Sequence, residues 1–218
     1  MTQPCPISVI KQRTKRRLVT EPIEMAKPEG NRHERAPVII AMKGHPGTGK
    51  TTLARSLAST LKIPLIDKDD VRDSTLTLQE TRVPSSLLND MSYRAIWQLA
   101  STQLQLGLNV VVDSPLSRRE HLDRLREIAA ASGGGVVVVE CKPTDEDEWR
   151  RRLEGRDEAT WHKPSTWREM ERLLESYDGC TDYDVGDVPK VVVDTTAGVA
   201  VQERVYSVVE FIKTHCGF

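Results

Sequence analysis

A glycine-rich stretch, GHPGTGKT at residues 44–51, has the spacing G-x-x-x-x-G-K-[ST]. Glycines at this spacing let a loop wrap closely around phosphates, so that successive backbone N–H groups point at them. Lys50 has the charge and length to reach the β- and γ-phosphates of ATP, and the Thr51 hydroxyl suits Mg²⁺. We therefore predict that ATP and Mg²⁺ bind here. The predicted ATP contacts are Gly44, His45, Pro46, Gly47, Thr48, Gly49, Lys50, Thr51 and Thr52.

An acidic cluster, Asp67, Asp69 and Asp70, follows the next apolar segment. In an open α/β sheet the carboxyl ends of the strands face the ligand crevice, so these carboxylates should lie near the γ-phosphate. A kinase needs a carboxylate there to orient the acceptor hydroxyl and take its proton. The alternative role is capping of the following helix, which short polar side chains do well. Both are compatible, with Asp70 capping and Asp69 catalytic.

Asp113 ends another apolar run, VVVD at 110–113. Its place at a strand end beside the glycine-rich loop predicts a role in the Mg²⁺ shell, together with Thr51. The alternative is that Asp113 caps the helix that follows. Arg118 and Arg119, a few residues later, are interpreted as solvated helix surface.

Two arginines, Arg152 and Arg156, lie four residues apart with Gly155 between them, which suits a helix end. An arginine that closes over the transferring phosphoryl group stabilises its charge. We predict a lid over about residues 150–167 that carries both arginines. The alternative for Arg152 is an ordinary i,i+4 pair with Glu148 on an exposed helix. The predicted catalytic residues are Lys50, Asp69, Arg152 and Arg156.

Three short motifs resemble a known group of kinases. KDDVR (68–72) resembles the R-D-D-Y-R element of phage-type polynucleotide 5′-hydroxyl kinases, and LIDKDD (65–70) is similar to the strand end of zeta-toxin kinases. RLEGR (152–156) resembles the R-L-x-x-R lid element of these small kinases. The resemblance, to the AAA_33-type P-loop kinases, implies that Asp69 is the base toward the acceptor hydroxyl and that Arg72 contacts the acceptor.

The resemblance runs from about Val38 to Ile212, with two departures from the motifs. Val71 stands where polynucleotide kinases have an aromatic residue, which disfavours a nucleic-acid acceptor. Ser114 and Pro115 replace a T-N pair after Asp113, so the resemblance does not support an acceptor contact at these positions.

These residues need a sheet edge to bring them together, and the hydropathy pattern predicts one. Short β-branched runs that are apolar at successive positions are typical of strands buried on both faces of a parallel sheet. Such runs occur at 38–42, 64–67, 109–114, 135–140 and 190–195. Helical patterns alternate with them at 50–62, 92–106, 117–131, 145–154, 166–177 and 199–214. We predict a three-layer α/β P-loop NTPase fold, with a five-stranded parallel sheet in the order 2-3-1-4-5.

Composition limits the class of protein and its partners. The chain has 218 residues, and no apolar run approaches the roughly 20 residues that cross a bilayer. Four cysteines without a CxxC pair argue against a zinc site or a disulfide framework. Residues 1–36 hold eight Lys/Arg against four Glu, which leaves 23 basic and 28 acidic residues in 37–218. Such an acidic body disfavours extensive nucleic-acid binding.

We predict a basic, disordered tail at 1–36 and a kinase domain at 37–218. A cytoplasmic location is expected, or a nuclear or organellar one if the tail is a targeting signal. The predicted activity is ATP- and Mg²⁺-dependent transfer of the γ-phosphoryl group to a hydroxyl of a small molecule or nucleotide, by a monomer or dimer without membrane contact. Two alternatives are a 5′-hydroxyl polynucleotide kinase and an ATP-binding regulatory protein with little turnover. His162, in the lid, is expected to pack or face solvent, and 195–198 to line the adenine pocket.

Overall fold

A computed structural model describes residues 36–79, 82–156 and 162–216 of the chain. The predicted tail, apart from Ala36, and part of the predicted lid, 157–161, lie outside these residues. The five predicted strands form one parallel sheet in the order β2-β3-β1-β4-β5, which confirms the predicted fold. The strands are β1 (Val38–Lys43), β2 (Leu65–Asp67), β3 (Val110–Asp113), β4 (Gly135–Lys142) and β5 (Lys190–Asp194).

Helices connect the strands and cover both faces of the sheet. They are α1 (Lys50–Leu61), α2 (Lys68–Asp73), α3 (Leu76–Gln79), α4 (Ser85–Gln105), α5 (Arg119–Ala131), α6 (Glu146–Glu154), α7 (Trp167–Tyr177) and α8 (Val201–Cys216). Among these described helices, none has the length and apolar character needed to span a bilayer.

Strand β1 shows why the sheet is buried on both sides. All six of its residues are buried, and alternate side chains enter two separate cores. Ile39 and Ala41 pack into the core beneath α4 and α5, whereas Ile40 and Met42 pack into the core beneath α1 and α8. Successive side chains of a strand point to opposite faces of the sheet. An unbroken apolar run therefore needs a layer of helices on each face to bury it.

The segment after β2 differs from its predicted form. Helix α2 follows β2 without a loop, and α4 begins at Ser85 rather than at 92. The first turns of α4 lack a clear apolar stripe, since Leu87 and Met91 are exposed and Leu88 is buried. A hydrophobic pattern therefore detects only the C-terminal part of α4. These helices form one wall of the cavity described next.

Candidate active site

A cavity of about 440 Å³ opens at the carboxyl ends of the central strands. The glycine-rich loop forms one side through Lys50 and Thr51, and α2 forms another through Asp69. Arg156, after α6, also lines this cavity. Of the nine predicted ATP contacts, Pro46, Lys50 and Thr51 line this cavity together with the predicted base and one predicted lid arginine. Its volume is within the range that small-molecule sites usually have.

The glycine-rich loop is held from outside by the helix that precedes the lid. The indole Nε1 of Trp149, on α6, donates a hydrogen bond of 2.8 Å to the backbone oxygen of Pro46. Gly47 has a φ of +84°, and a Cβ atom there would lie 2.9 Å from that Nε1. The His45 ring stacks on the Trp149 ring with centroids 6.1 Å apart. Glycine at 47 is therefore required both by the backbone conformation and by the close approach of the indole.

The predicted Mg²⁺ ligands fit that ion. Asp113 is 1% exposed, and neither of its carboxylate oxygens has a hydrogen-bond partner among the described residues. Lys50 Nζ lies 3.4 Å from Asp113 Oδ1, and Lys50 and Thr51 line the cavity, whereas Asp113 lies behind them. No cluster of three or more His, Cys, Asp or Glu side chains suited to a metal occurs in the described ranges. One carboxylate and one hydroxyl suit Mg²⁺, which usually keeps waters and binds substrate phosphates.

Asp67 is the residue that caps α2, so the expectation that Asp70 does so is wrong. The Asp67 Oδ1 accepts a hydrogen bond of 2.9 Å from the backbone N–H of Asp69. Asp67 also lies opposite Asp113 in the register of β2 and β3. Burial and the negative charge of Asp113 raise the pKa of Asp67 to about 6. The capping residue is the last of the strand because α2 starts immediately after β2.

Asp69 is held by cations from the lid segment and from α2. Its Oδ2 lies 2.7 Å from Lys163 Nζ, and its Oδ1 lies 3.3 Å from His162 Nε2 and 3.7 Å from Lys68 Nζ. Burial alone would raise the pKa of Asp69, but the His162 hydrogen bond and the Lys163 charge outweigh it and lower that pKa. His162 also reaches Asp73, with Nδ1 3.2 Å from Oδ1. The Asp69 carboxyl is therefore ionised and fixed in orientation.

The two predicted lid arginines lie on different sides of the loop. Arg156 lines the cavity with Asp69, and its Nη1 is buried without a hydrogen-bond partner in the part of the chain that is described. Arg152 instead donates a hydrogen bond of 2.6 Å to Glu148 Oε1 and one of 3.0 Å to the backbone oxygen of Thr195. The i,i+4 pair considered for Arg152 is thus present. A second cavity of about 200 Å³ is lined by Arg152, Thr195, Gly49 and Thr52, among others.

Arg72 is buried in the wall of the main cavity. It is 2% exposed and donates hydrogen bonds to Thr75 Oγ1 at 3.0 Å and to Ser85 Oγ at 2.8 Å. These bonds fix the guanidinium between α2 and the start of α4. Its predicted contact with an acceptor stays a prediction, and the cavity wall is the place where that contact would occur.

The cavity residues that were not predicted as site residues include Lys68, Arg118, His162 and Lys163. His162, expected to pack or face solvent, has a side chain only 8% exposed and contacts Asp69. Arg118 is exposed, as expected of helix surface, yet it borders the cavity. Lys68 is next to Asp69 in the KDDVR motif, so a local signal for it was present. No local pattern identifies the other three, because they reach the site through the tertiary fold.

Comparison with known proteins identifies the family. The model of an AAA domain family, AAA_33, matches residues 39–178. The chain belongs to the AAA_33 family. As an AAA_33 domain it shares the P-loop kinase fold of several solved structures, and their identities below 25% support the fold alone.

Three of these structures are of proteins named as kinases. A gluconokinase from Sinorhizobium meliloti is 24% identical with a TM-score of 0.57, covering 84% of this chain and 95% of that one. A sugar kinase from Janibacter sp. is 16% identical with a TM-score of 0.61, covering 84% of this chain and 97% of that one. The APS kinase of Mycobacterium tuberculosis, in complex with AMPPNP and APS, is 18% identical with a TM-score of 0.55, covering 82% and 98%.

Two curated relatives match shorter stretches. An uncharacterized protein of Mycobacterium tuberculosis is 29% identical over 110 residues, which are 46% of this chain and 22% of that protein. A cytidylate kinase of Pyrobaculum arsenaticum is 55% identical over 29 residues, which are 13% of this chain and 16% of that enzyme. The chain thus matches less than a quarter of the length of these relatives.

Proposed function

We propose that this AAA_33 domain is an ATP- and Mg²⁺-dependent kinase that transfers the γ-phosphoryl group to a hydroxyl of a small molecule. One observation carries the proposal: Lys50, Thr51, Asp69 and Arg156 line a single cavity. A site for the triphosphate and a carboxylate for the acceptor are therefore adjacent. A protein that only binds ATP does not need such a carboxylate beside the phosphates. The P-loop kinase fold supports the same conclusion.

ATP binding rests on the loop and on α1. Backbone N–H groups of the glycine-rich loop and the positive end of α1 would hold the phosphates. Lys50 would leave Asp113 for the β- and γ-phosphates, since their separation of 3.4 Å is longer than a strong ion pair. Thr51 and Asp113 would hold Mg²⁺, which when bound would neutralise negative charge on the phosphates. Thr195 and Arg152, around the second cavity, would face the adenosine side.

The transfer step forms one bond and breaks one. The acceptor oxygen attacks the γ-phosphorus as the bond from that phosphorus to the β–γ bridging oxygen breaks, and ADP leaves. The hydroxyl proton passes to the Asp69 carboxylate. Because the transition state is loose, that proton becomes acidic only as the new bond forms, so a carboxylate with a lowered pKa can still accept it late. Asp69 therefore acts first by orienting the hydroxyl.

Cations around the cavity would stabilise the moving phosphoryl group. Arg156 has a buried Nη1 with no hydrogen-bond partner within the described ranges, so it has a donor available for the phosphoryl oxygens. Burial lowers the pKa of Arg156, and the Asp69 charge partly opposes this. Lys163, paired with Asp69, positions that carboxylate.

The test is a transfer assay with labelled ATP against sugars, nucleosides, nucleotides and 5′-hydroxyl oligonucleotides. Lys50→Ala should abolish transfer, and Asp69→Asn should reduce it by about 10²–10⁴. Asp70→Asn is the matched control, because Asp70 is in the same helical turn but exposed and outside the cavity lining. Equal losses in the two asparagine variants, or an Asp69→Asn rate within a few-fold of wild type, would contradict the assignment.

A further inference from the structure

We propose that His162 is a positioning residue for phosphoryl transfer: its ring fixes the Asp69 carboxylate, and Asp73 holds that ring from the other side. The proposal rests on the proposed function, because it concerns how the acceptor hydroxyl is oriented. It predicts that the rate of transfer depends on one nitrogen of the His162 ring, Nε2, and not only on the presence of a polar side chain at this position.

Contacts at both oxygens define the orientation of the Asp69 carboxyl group. Lys163 Nζ lies 2.7 Å from Oδ2, and His162 Nε2 lies 3.3 Å from Oδ1. Lys68 Nζ, at 3.7 Å from Oδ1, adds positive charge beyond hydrogen-bond distance. A partner at one oxygen alone leaves the carboxyl group able to rotate about its Cβ–Cγ bond, since that torsion is broad in aspartate. The contact with His162 at the second oxygen restricts this rotation.

The Asp69 carboxylate can still accept the acceptor hydroxyl while it is held in this way. Each of its oxygens has two lone pairs, and one hydrogen bond at an oxygen uses only one of them. Burial raises the pKa of Asp69, and the hydrogen bond from His162 is the largest of the influences that lower it. His162 therefore supports both the negative charge and the direction of the group that orients the hydroxyl.

The His162 ring is itself held in place. Its side chain is only 8% exposed, and Nδ1 lies 3.2 Å from Asp73 Oδ1 in an ion pair. Asp69 and Asp73 are four residues apart on α2, which puts their side chains on the same face of that helix. One imidazole ring therefore reaches both carboxylates. Because carboxylates only accept hydrogen bonds, this geometry suits the protonated ring, which carries a proton on each nitrogen.

Two substitutions separate the roles of the two ring nitrogens. A glutamine side chain places its amide nitrogen near the position of Nε2, whereas an asparagine places its own near Nδ1 and is too short to reach Asp69. His162→Gln should therefore keep kcat for transfer within about fivefold of wild type, and His162→Asn should lower it about tenfold to a hundredfold. The KM for ATP should change less than about twofold in both variants, because the glycine-rich loop is intact.

The rates are measured on the full chain with labelled ATP and Mg²⁺, both for the acceptor found in the transfer assay and for water as the acceptor. His215→Asn is the matched control, because His215 is exposed on α8. Equal losses in the two His162 variants, or a His162→Asn rate within about twofold of wild type, would overturn the positioning role and leave the kinase proposal intact.

A double-mutant cycle tests whether His162 acts through Asp69. In an Asp69→Ala background, His162→Asn should lower kcat by less than about twofold more, because the group that His162 positions is gone. A merely structural role predicts the same loss in both backgrounds, and that result would contradict the proposal.

The contact itself is measured without turnover, by NMR of the full chain labelled with ¹⁵N-histidine. The Nε2 proton of His162 should exchange with water at least about tenfold more slowly than the ring protons of His215. Asp69→Ala should abolish this protection and Asp73→Ala should reduce it, whereas Asp70→Ala, at an exposed site on α2, should leave it unchanged. Protection that does not depend on Asp69 would overturn the proposal. Protection that does depend on Asp69, in a protein that transfers phosphate to no acceptor, would support the contact and contradict the kinase proposal.

Discussion

Replacing Asp67 with asparagine should stabilise the folded protein at neutral pH when Mg²⁺ is absent. Asp67 is 6% exposed and lies opposite Asp113 across adjacent strands. Asparagine keeps the side-chain oxygen that accepts the Asp69 N–H, and it is as good an N-cap as aspartate. The substitution therefore removes one buried negative charge and leaves the cap in place.

The size of the effect follows from the pKa of Asp67. Burial and the Asp113 charge raise this pKa from 3.8 to about 6. Because the folded-state value is the higher one, the stability from this group is fully present below 3.8 and is lost as the pH rises through 6. A shift of two pKa units corresponds to about 3 kcal/mol in the free energy of unfolding. Roughly 1.3 kcal/mol of this is lost between pH 5 and 7.

The assay is urea unfolding of wild type and Asp67→Asn at pH 5 and pH 7, in buffer with EDTA. The free energy of unfolding should be larger for Asp67→Asn than for wild type. This excess should be about 1 kcal/mol greater at pH 7 than at pH 5. Taking the difference removes the contribution of groups that titrate equally in both proteins. Asp70→Asn, at an exposed site, is the control. A variant less stable than wild type at pH 7, or a difference that does not change with pH, would refute the reasoning.

Two further substitutions test how the site is held. Trp149→Phe keeps an aromatic ring but removes the hydrogen bond to the backbone oxygen of Pro46. The affinity for a fluorescent ATP analogue should therefore fall about fivefold, equivalent to about 1 kcal/mol. Unchanged affinity would show that the indole does not support the loop. Lys163→Met should lower the free energy of unfolding at pH 7 by about 2 kcal/mol, because the half-buried Asp69 carboxylate loses its nearest cation. The control Lys213→Met breaks an exposed pair with Glu210 and should lower the free energy of unfolding by no more than about 0.5 kcal/mol in the same urea titration. Equal losses in the two variants would contradict the claim that the Lys163–Asp69 pair stabilises the fold.

Local sequence patterns predicted most of the fold. A continuous apolar run such as 38–42 has to be covered on both faces, so the five strands and their parallel arrangement follow from hydropathy alone. The helix starting at Lys50 was also predicted, since the glycine-rich loop must lead into a helix for its N–H groups to face phosphate. Where the pattern was weak, as at the start of α4, the prediction began at 92 instead of Ser85.

Spacing along the chain was enough to predict the glycine-rich loop, to place Asp113 at the end of β3 and to place Asp69 just after β2. The surroundings of these residues could not be predicted in the same way. His162 is 93 positions from Asp69, and Trp149 is 103 from Pro46, yet each pair is in contact. Periodicity and spacing report interactions within a few turns or one strand, whereas these contacts depend on how distant elements pack. The ionised state of Asp69 and the support of the glycine-rich loop both arise from that packing.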